Sequence, residues 1–443
     1  MNTTRHSILH SSVELVKEAG GLNIKEMKSV GIIFADLTTE QVHIMREKGF
    51  IVDTIDQIST TRTVTPGDIS VPNPITGVAT YTPQDLLRLL GVDSARNITT
   101  PPLYGDGINI AVIGTGIRQS HQMLATVNFV YSKNYTHGVM ADVYDHDTGV
   151  ASLIAVIAPN CNMLNLKVLD SSGNGSEETV VEAIDDCITF STNGENYAPG
   201  VINLSLGGPD DGDINDILRV ACRAAVNAGI IVVAAAGNDG PDAQTITIPA
   251  CEQYVLAVGS ISPIASMNTF EVNSFSSAGP TLDGLTKPDA VMYGSNIVMA
   301  SSASDSATVA KSGTSFSCPL AAGIAVIYLN GVDVQANYTN PVNGVTLPTG
   351  VIYFVPVKEI VDNFLPRICI KPTGVAAGKD NYYGYGLPYG PLIQKAFVSS
   401  AIGLDMSSVV GMMMAVMMMG MVMKMTAAPT KKKPPEKSKY ISA

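Results

Sequence analysis

Three short segments carry side chains that together could cleave an acyl bond. Ser315 stands in KSGTSFSCPLAAGIAVIYL (311–329), a small-residue turn that opens an apolar helix. A helix N-terminus favours the negative charge that develops around a nucleophilic serine. His146 begins another apolar helix in DHDTGVASLIAVIAP (145–159), where it could act as a general base. Asn238 follows a buried strand in VVAAAGNDG (232–240), where its amide could donate to an oxyanion.

A glycine-rich turn near residue 114 raises a competing interpretation. The apolar strand INIAVI (108–113) runs into Gly114-Thr115-Gly116, which could be the start of a dinucleotide-binding loop. That loop needs a third glycine and an acidic residue about twenty positions later. Gln119 stands at the third glycine position, and YSKNYTHG (131–138) contains no acid. We therefore reject the nucleotide interpretation and expect no cofactor.

The elements that must position these side chains alternate between buried strands and helices from about residue 107 to 400. The strand candidates are INIAVI, MLNLKVLD, GVINLSL, GIIVVAAAG and YVLAVGSI, and the helix candidates are TGVASLIAVIA, SEETVVEAIDDCITF and INDILRVACRAAVNAG. Nearly continuous apolar strands are typical of a parallel sheet that is covered on both faces. The pattern predicts an α/β domain with a doubly wound, mainly parallel sheet.

The composition agrees with a large globular enzyme or scaffold. The chain has 443 residues, of which 46% are hydrophobic and 15% charged, enough for one large core and a smaller domain. Its net charge of −12 argues against a nucleic-acid partner. The six cysteines are scattered without a CxxC or a Cys/His cluster. We expect them to be buried thiols rather than a disulfide framework, and we expect no metal site.

Together the segments resemble the subtilisin-like serine proteases (subtilases, peptidase family S8), over residues of about 85–400. SGTSFSCP resembles the family's GTSxxxP motif, HDTGVAS resembles HGTHVAG, and AAAGN supplies the oxyanion asparagine. The resemblance implies that Ser315 is the nucleophile, His146 the base and Asn238 the oxyanion donor. It also implies a subtilisin-type sheet and a polypeptide substrate.

The same resemblance implies a set of substrate-binding residues. VINLSLGGP (201–209) resembles the strand that pairs with substrate and lines the primary specificity pocket, and SGNGS (172–176) resembles a second substrate-binding edge. Thr247 stands near the family's pocket-floor glycine, so we expect a smaller pocket. The substrate-binding residues implied in this way are Ser205, Leu206, Gly207, Gly173, Gly237 and Thr247.

The chain departs from the family at Gly114, which stands where the triad aspartate is expected. That carboxylate normally orients the histidine and stabilises its charged form. Asp145 and Asp147 flank His146, but neighbouring side chains at a helix start diverge, so we expect neither to reach the ring. Asp142 is a more remote substitute. A water molecule is expected in the vacated space, with activity impaired.

Metal binding is a second departure. In the family, an aspartate after the first motif and a loop in the histidine helix bind structural calcium. Met123 stands at that aspartate, and VASLIAVIAP continues without the loop. We therefore expect this calcium site to be absent.

The ends of the chain predict further units. Residues 29–59 read as strand, helix and strand, and they resemble, more weakly, a shortened inhibitory propeptide. An unrelated N-terminal α/β unit is the alternative. We assign residues 1–82 to this unit and a Pro- and Thr-rich linker, and 83–402 to the peptidase domain. The N-terminus lacks the apolar core of a secretory signal.

The C-terminal part is apolar and then basic. Ten of the 19 methionines lie within 406–425, and residues 406–423 are 18 uncharged residues between Asp405 and Lys424. As a helix they would extend about 27 Å, enough to cross a bilayer. We predict a membrane anchor at 403–425, followed by a basic tail at 426–443, with the side of the membrane undetermined. A helix docked on the domain or on a partner is the alternative.

Two functional hypotheses remain open. One is a serine endopeptidase that is impaired because Gly114 replaces the acid. The other is a non-catalytic pseudoprotease, a membrane-associated scaffold whose groove binds peptides or its own N-terminal segment.

Overall fold

An antiparallel α/β unit forms the N-terminal part of the protein. The structure, a computed structural model, describes residues 3–55, 57–60, 80–97, 102–264, 269–338 and 357–398. The unit comprises β1 (Thr4–Leu9), α1 (Val13–Glu18), β2 (Leu22–Met27), β3 (Ile32–Leu37), α2 (Thr39–Glu47) and β4 (Ile51–Thr54). Its sheet has the order β2-β3-β1-β4, with every pair antiparallel. The unit is larger than the strand–helix–strand predicted over 29–59, because the preceding residues add β1, α1 and β2.

The strand β5 (Gln57–Thr60) comes next in the chain, and the helices and strands of the large domain follow it. The helices are α3 (Pro83–Leu90), α4 (Val92–Arg96), α5 (Asp147–Ile157), α6 (Glu177–Asn193), α7 (Ile217–Asn227), α8 (Thr314–Tyr338), α9 (Val357–Glu359), α10 (Leu365–Ile368) and α11 (Gly390–Val398), with a 3₁₀ turn at Gln122–Leu124 and a π turn at Ile360–Phe364. The strands are β6 (Asn109–Gly114), β7 (Asn128–Asn134), β8 (Asn162–Lys167), β9 (Asn174–Ser176), β10 (Val201–Leu204), β11 (Leu206–Gly207), β12 (Ile231–Ala235), β13 (Leu256–Pro263), β14 (Phe270–Val272), β15 (Ala290–Tyr293), β16 (Ile297–Ala300), β17 (Thr308–Lys311), β18 (Cys369–Ile370) and β19 (Leu387–Pro388).

An eight-stranded sheet forms the centre of the large domain. Its strand order is β14-β13-β12-β10-β6-β8-β7, and β15 also pairs with β13. All these pairings are parallel except that of β13 with β14. The mainly parallel sheet predicted from the apolar strands is therefore present.

Helices cover both faces of this sheet. Alternate strand residues, such as Ala111, Leu164 and Ile202, share one apolar cluster with residues of α6 and α7. Because successive side chains of a strand point to opposite faces, the residues between them face the other side. There α8 packs on β10, β12, β13 and β15, and α5 packs against α8. The sheet is thus doubly wound, and its carboxyl edge carries the ends of β6, β10 and β12.

The N-terminal unit packs against α6. Arg5 pairs with Glu178 (Nη2 to Oε1, 2.7 Å), and Lys25 pairs with Glu182 on the same helix. The backbone amide of Ser29 donates to Asp185 Oδ1 at 2.7 Å. Apolar residues of β2 and β3 join the cluster that includes α6.

One apolar segment of the described residues, Thr314–Gly331 in α8, is long enough to cross a membrane, but it is fully buried in the domain as a core helix. The segment predicted to be a membrane anchor, 403–425, lies outside the described residues, as do the basic tail and most of the linker. The six cysteines are free thiols, and five of them are buried.

Candidate active site

The first turn of α8 presents Ser315 to the carboxyl edge of the sheet. Gly313, with φ +154°, precedes the helix in a conformation that favours glycine. Ser315 Oγ donates to the carbonyl oxygen of Ser205 at 3.4 Å, and Ser205 Oγ donates to the carbonyl oxygen of Ser315 at 2.9 Å. This pair of bonds joins the start of α8 to the residue that links β10 and β11.

Asn238, just after β12, is held by the residue before Ser315. Its Oδ1 accepts from the backbone amide of Thr314 at 2.8 Å and from Thr314 Oγ1 at 2.9 Å. These bonds determine the orientation of the side-chain amide, because Oδ1 can only accept. The Nδ2 group is consequently the donor that Asn238 presents beside the N-terminus of α8.

His146 lies immediately before α5 and is 1% exposed. Its ring packs against Phe316, with ring centroids 5.4 Å apart, which brings it to the start of α8. Nδ1 lies 2.7 Å from Asp147 Oδ1. Because a carboxylate only accepts, Nδ1 carries the proton and donates. The other nitrogen, Nε2, is buried and has no hydrogen-bond partner within the described residues.

The prediction that Asp147 cannot reach the histidine ring was wrong. It assumed helical divergence of neighbouring side chains, but His146 has φ −123° and ψ −61°, outside the helical conformation. Asp147 Oδ2 accepts from the backbone amide of Thr115 at 2.7 Å. A Cβ built on Gly114 would lie 2.1 Å from that oxygen. The carboxylate therefore fills the space above Gly114 in which we expected a water molecule.

The other two acids near His146 have different partners. Asp142 accepts from the backbone amide of His146 at 3.2 Å and from both the amide and the hydroxyl of Thr148. Asp145 accepts from the amide of Ser302 at 2.6 Å and pairs with Lys311. Asp142 thus anchors the backbone before α5, and Asp145 faces a different loop.

Burial and hydrogen bonds act in opposite directions on the acid beside His146. Burial raises the pKa of Asp147, and the hydrogen bonds from His146 and the Thr115 amide act against that increase. Lys167, at the end of β8, bonds the carbonyl oxygen of Thr115. Burial lowers the pKa of Lys167, and the charges of Asp142 and Asp147 oppose this effect. Sequence reasoning missed Lys167 and Thr115, although DHDT did display the acid next to the histidine.

A segment of the N-terminal part occupies the groove lined by the predicted substrate-binding strands. β5 lies between β11 and β9 and pairs antiparallel with both. Thr60 is opposite Leu206, and Ser59 is opposite Gly207 on one side and Asn174 on the other. Gly173, with φ +78°, forms the turn that leads into β9. Extended backbone added between two strands in this way is a recurring mode of peptide recognition.

Thr247 lies where the groove meets the turn before Asn238. A Cβ on Gly207 would lie 2.9 Å from Thr247 Oγ1, and one on Gly237 would lie 2.6 Å from Thr247 Cγ2. The threonine side chain therefore fills space next to both glycines. Its Oγ1 donates to the carbonyl oxygen of Ala236 at 3.3 Å, which fixes it there.

Met123, at the position where the resemblance implies a calcium ligand, does not suit a hard cation. Met123 offers a thioether sulfur, which is a poor ligand for calcium. Within the described ranges, no group of three or more His, Cys, Asp or Glu side chains is arranged to hold a metal ion.

Comparisons with known proteins identify the family of this chain. A family model described as the subtilase family (Peptidase_S8) matches residues 105–386. Serine protease AprX of Bacillus subtilis (strain 168) is 32% identical over 255 residues, 51% of this chain and 58% of AprX. Subtilisin E of the same strain is 32% identical over 258 residues, 53% of this chain and 59% of that protein. Subtilisin of Bacillus pumilus is 33% identical over 258 residues, 53% of this chain and 82% of that protein.

The chain thus matches just under three fifths of the length of AprX and subtilisin E. The family model alone covers more than half of the chain and includes His146, Asn238 and Ser315. The chain belongs to the subtilase family of serine proteases.

Proposed function

We propose that this protein is a serine endopeptidase in which Ser315 is the nucleophile, His146 the general base and acid, and Asn238 an oxyanion donor. One observation carries the proposal: His146 donates from Nδ1 to a buried carboxylate. An imidazole oriented in this way keeps Nε2 as its proton acceptor.

The reaction then follows from these groups. His146 Nε2 takes the proton of Ser315 Oγ as the oxygen attacks the scissile carbonyl carbon. Asn238 Nδ2 and the N-terminus of α8 stabilise the oxyanion. His146 returns the proton to the leaving amine as the C–N bond breaks, and a water molecule that His146 activates then hydrolyses the acyl-enzyme.

We further propose that substrate binds as an extended strand between β11 and β9, where β5 now pairs. The N-terminal unit would then act as an intramolecular inhibitor that competes with substrate for the groove and slows turnover without abolishing it. The ion pairs of Arg5 and Lys25 with α6 support this, because they hold the unit beside the groove.

We also propose that the enzyme prefers small side chains on the acyl side of the cleaved bond. Thr247 supports this, because it fills space beside Gly207 and Gly237. Thr247→Gly should raise the kcat/KM ratio of a leucyl over an alanyl peptide by about 10-fold or more. An unchanged ratio would contradict this preference.

A fluorophosphonate probe tests the catalytic proposal. The full chain should be labelled and should cleave a peptide, and Ser315→Ala should do neither. Ser317→Ala is the matched control, since Ser317 lies one half-turn further on α8 and donates to the carbonyl of Met292; it should still be labelled. Peptide binding without labelling or cleavage would instead favour the pseudoprotease scaffold.

A further inference from the structure

We infer that Asp147 is the acid of the catalytic site and that it can take this role only because position 114 is glycine. The inference rests on the proposed function. In the family pattern an acid stands at position 114 and glycine follows the histidine, as in HGTHVAG. Here glycine stands at 114 and an acid follows the histidine, so the two residue types have exchanged places.

Both oxygens of the Asp147 carboxylate are used. Oδ1 accepts from His146 Nδ1 and Oδ2 accepts from the Thr115 amide, each at 2.7 Å. The side chain is only 3% exposed. Two hydrogen bonds in different directions restrict rotation of the carboxylate. A carboxylate that orients an imidazole must itself be fixed in this way.

Gly114 is needed for space rather than for backbone freedom. It lies at the end of β6, paired with β8, and is not among the glycines with positive φ. A Cβ at this position would lie 2.1 Å from Asp147 Oδ2 and 2.8 Å from its Cγ. Any side chain at 114 would displace the carboxylate from the ring.

The surrounding hydrogen bonds fix the backbone of Asp147 next to the end of β6. Its amide donates to Thr115 Oγ1 at 3.0 Å, and the same hydroxyl donates to Asp142 Oδ1 at 2.9 Å. The start of α5 is thereby tied to the residue after Gly114. A carboxylate that originates from the helix can consequently reach the space that a strand side chain would otherwise fill.

The first test removes the charge. Asp147→Asn should lower kcat by about 10⁴-fold with little change in KM, because an amide can stabilise the wrong tautomer of His146. Asp145→Asn is the matched control on the other side of His146, because its carboxylate contacts Ser302 and Lys311. It should retain activity within a few-fold of the parent.

The second test reverses the exchange. Gly114→Ala should reduce kcat at least 100-fold in the parent but should add little loss to Asp147→Gly. The double variant Gly114→Asp/Asp147→Gly should recover at least 100-fold over Asp147→Gly alone. Additive losses of activity in the double variant would overturn the inference. If the Gly114→Asp/Asp147→Gly variant fails to fold, the comparison of Gly114→Ala in the parent with Gly114→Ala in Asp147→Gly still tests it.

A measurement independent of turnover separates the two proposals. In ¹⁵N-histidine-labelled protein, the His146 Nδ1 proton should be protected from exchange, and this signal should disappear in Asp147→Gly but persist in Asp145→Asn. If the parent and the Asp147→Asn variant cleave the peptide equally well, only the role of Asp147 is overturned. A parent that is neither labelled nor active overturns the proposed function, and retention of the signal in Asp147→Gly then overturns the placement of the acid as well.

Discussion

Two regions of this molecule bring several carboxylates together, and they differ in the groups that face those carboxylates. Beside His146, Asp142 and Asp147 receive hydrogen bonds from amides, hydroxyls and an imidazole, with Lys167 nearby. Between the N-terminal unit and α7, a cavity of about 120 Å³ is lined by Asp53, Glu177, Asp211, Asp213 and Asp216, together with Ser7, Thr54 and Ile217. Among these lining residues there is no basic side chain.

The consequence appears at Asp216, the N-cap of α7. Burial raises its pKa to about 6, even though its Oδ1 accepts from the amides of Leu218 and Arg219. Donors therefore offset only part of the cost of burying a carboxylate when other acids line the same cavity. The carboxylates beside His146 are therefore faced by several donors and by Lys167, whereas the acids of the cavity lie together where the N-terminal unit meets the large domain.

The largest expected effect comes from removing the cation beside His146. Lys167→Met should lower the free energy of unfolding by about 3–5 kcal/mol, because it removes both the hydrogen bond to the Thr115 carbonyl and the positive charge that acts on Asp142 and Asp147. Urea unfolding measures this. Lys133→Met is the control, since Lys133 pairs with Asp186 but is about one-third exposed; it should cost about 1 kcal/mol or less. Equal losses would mean that Lys167 does not offset the acids.

Removing a single donor near His146 should have a smaller effect. Thr115→Val deletes the hydroxyl that donates to Asp142 and accepts from the Asp147 amide. We expect a loss of about 1–3 kcal/mol in the free energy of unfolding, because both partners stay buried. Thr308→Val, on exposed β17 surface, should change stability by less than about 0.5 kcal/mol. A neutral Thr115→Val would show that the hydroxyl is dispensable.

Removing a charge from the cavity should instead raise the free energy of unfolding. Folding raises the pKa of Asp216 from 3.8 to about 6, so the folded state binds more protons between these values and stability falls as pH rises through them. Asp216→Asn keeps a good N-cap and should gain about 1–3 kcal/mol above pH 6 but almost nothing at pH 3.5. Thermal unfolding at both pH values measures this. The same gain at both would rule out titration of Asp216 as the cause.

The smallest expected effect concerns the ion pairs that hold the N-terminal unit. Arg5→Ala removes a half-buried pair with Glu178 and should weaken the hold by about 0.2–1 kcal/mol. Hydrogen exchange of the β5 amides should be up to about fivefold faster. Arg46→Ala removes the more exposed Arg46–Asp53 pair inside the unit and should leave these amides unchanged. Equal acceleration in both variants would mean that the contact with α6 is not what protects β5.

Much of the large domain could be predicted from local patterns. The apolar strands and the helices between them have periods that do not depend on distant residues. The first half of the N-terminal unit was harder, because β2 is largely exposed and α1 has only six residues. Such short elements are stabilised by packing rather than by their own pattern.

The sequence by itself determined the family, the parallel sheet and the residue types placed at the ends of β6, β12 and the start of α8, because these depend on short motifs and on hydrophobic periodicity. Only the tertiary structure decided which carboxylate reaches His146. That contact depends on the non-helical backbone of His146 and on the space above Gly114, which lies 33 positions away from Asp147 in the chain. The space left by Gly114 and the carboxylate of Asp147 that fills it come together only when β6 and α5 pack.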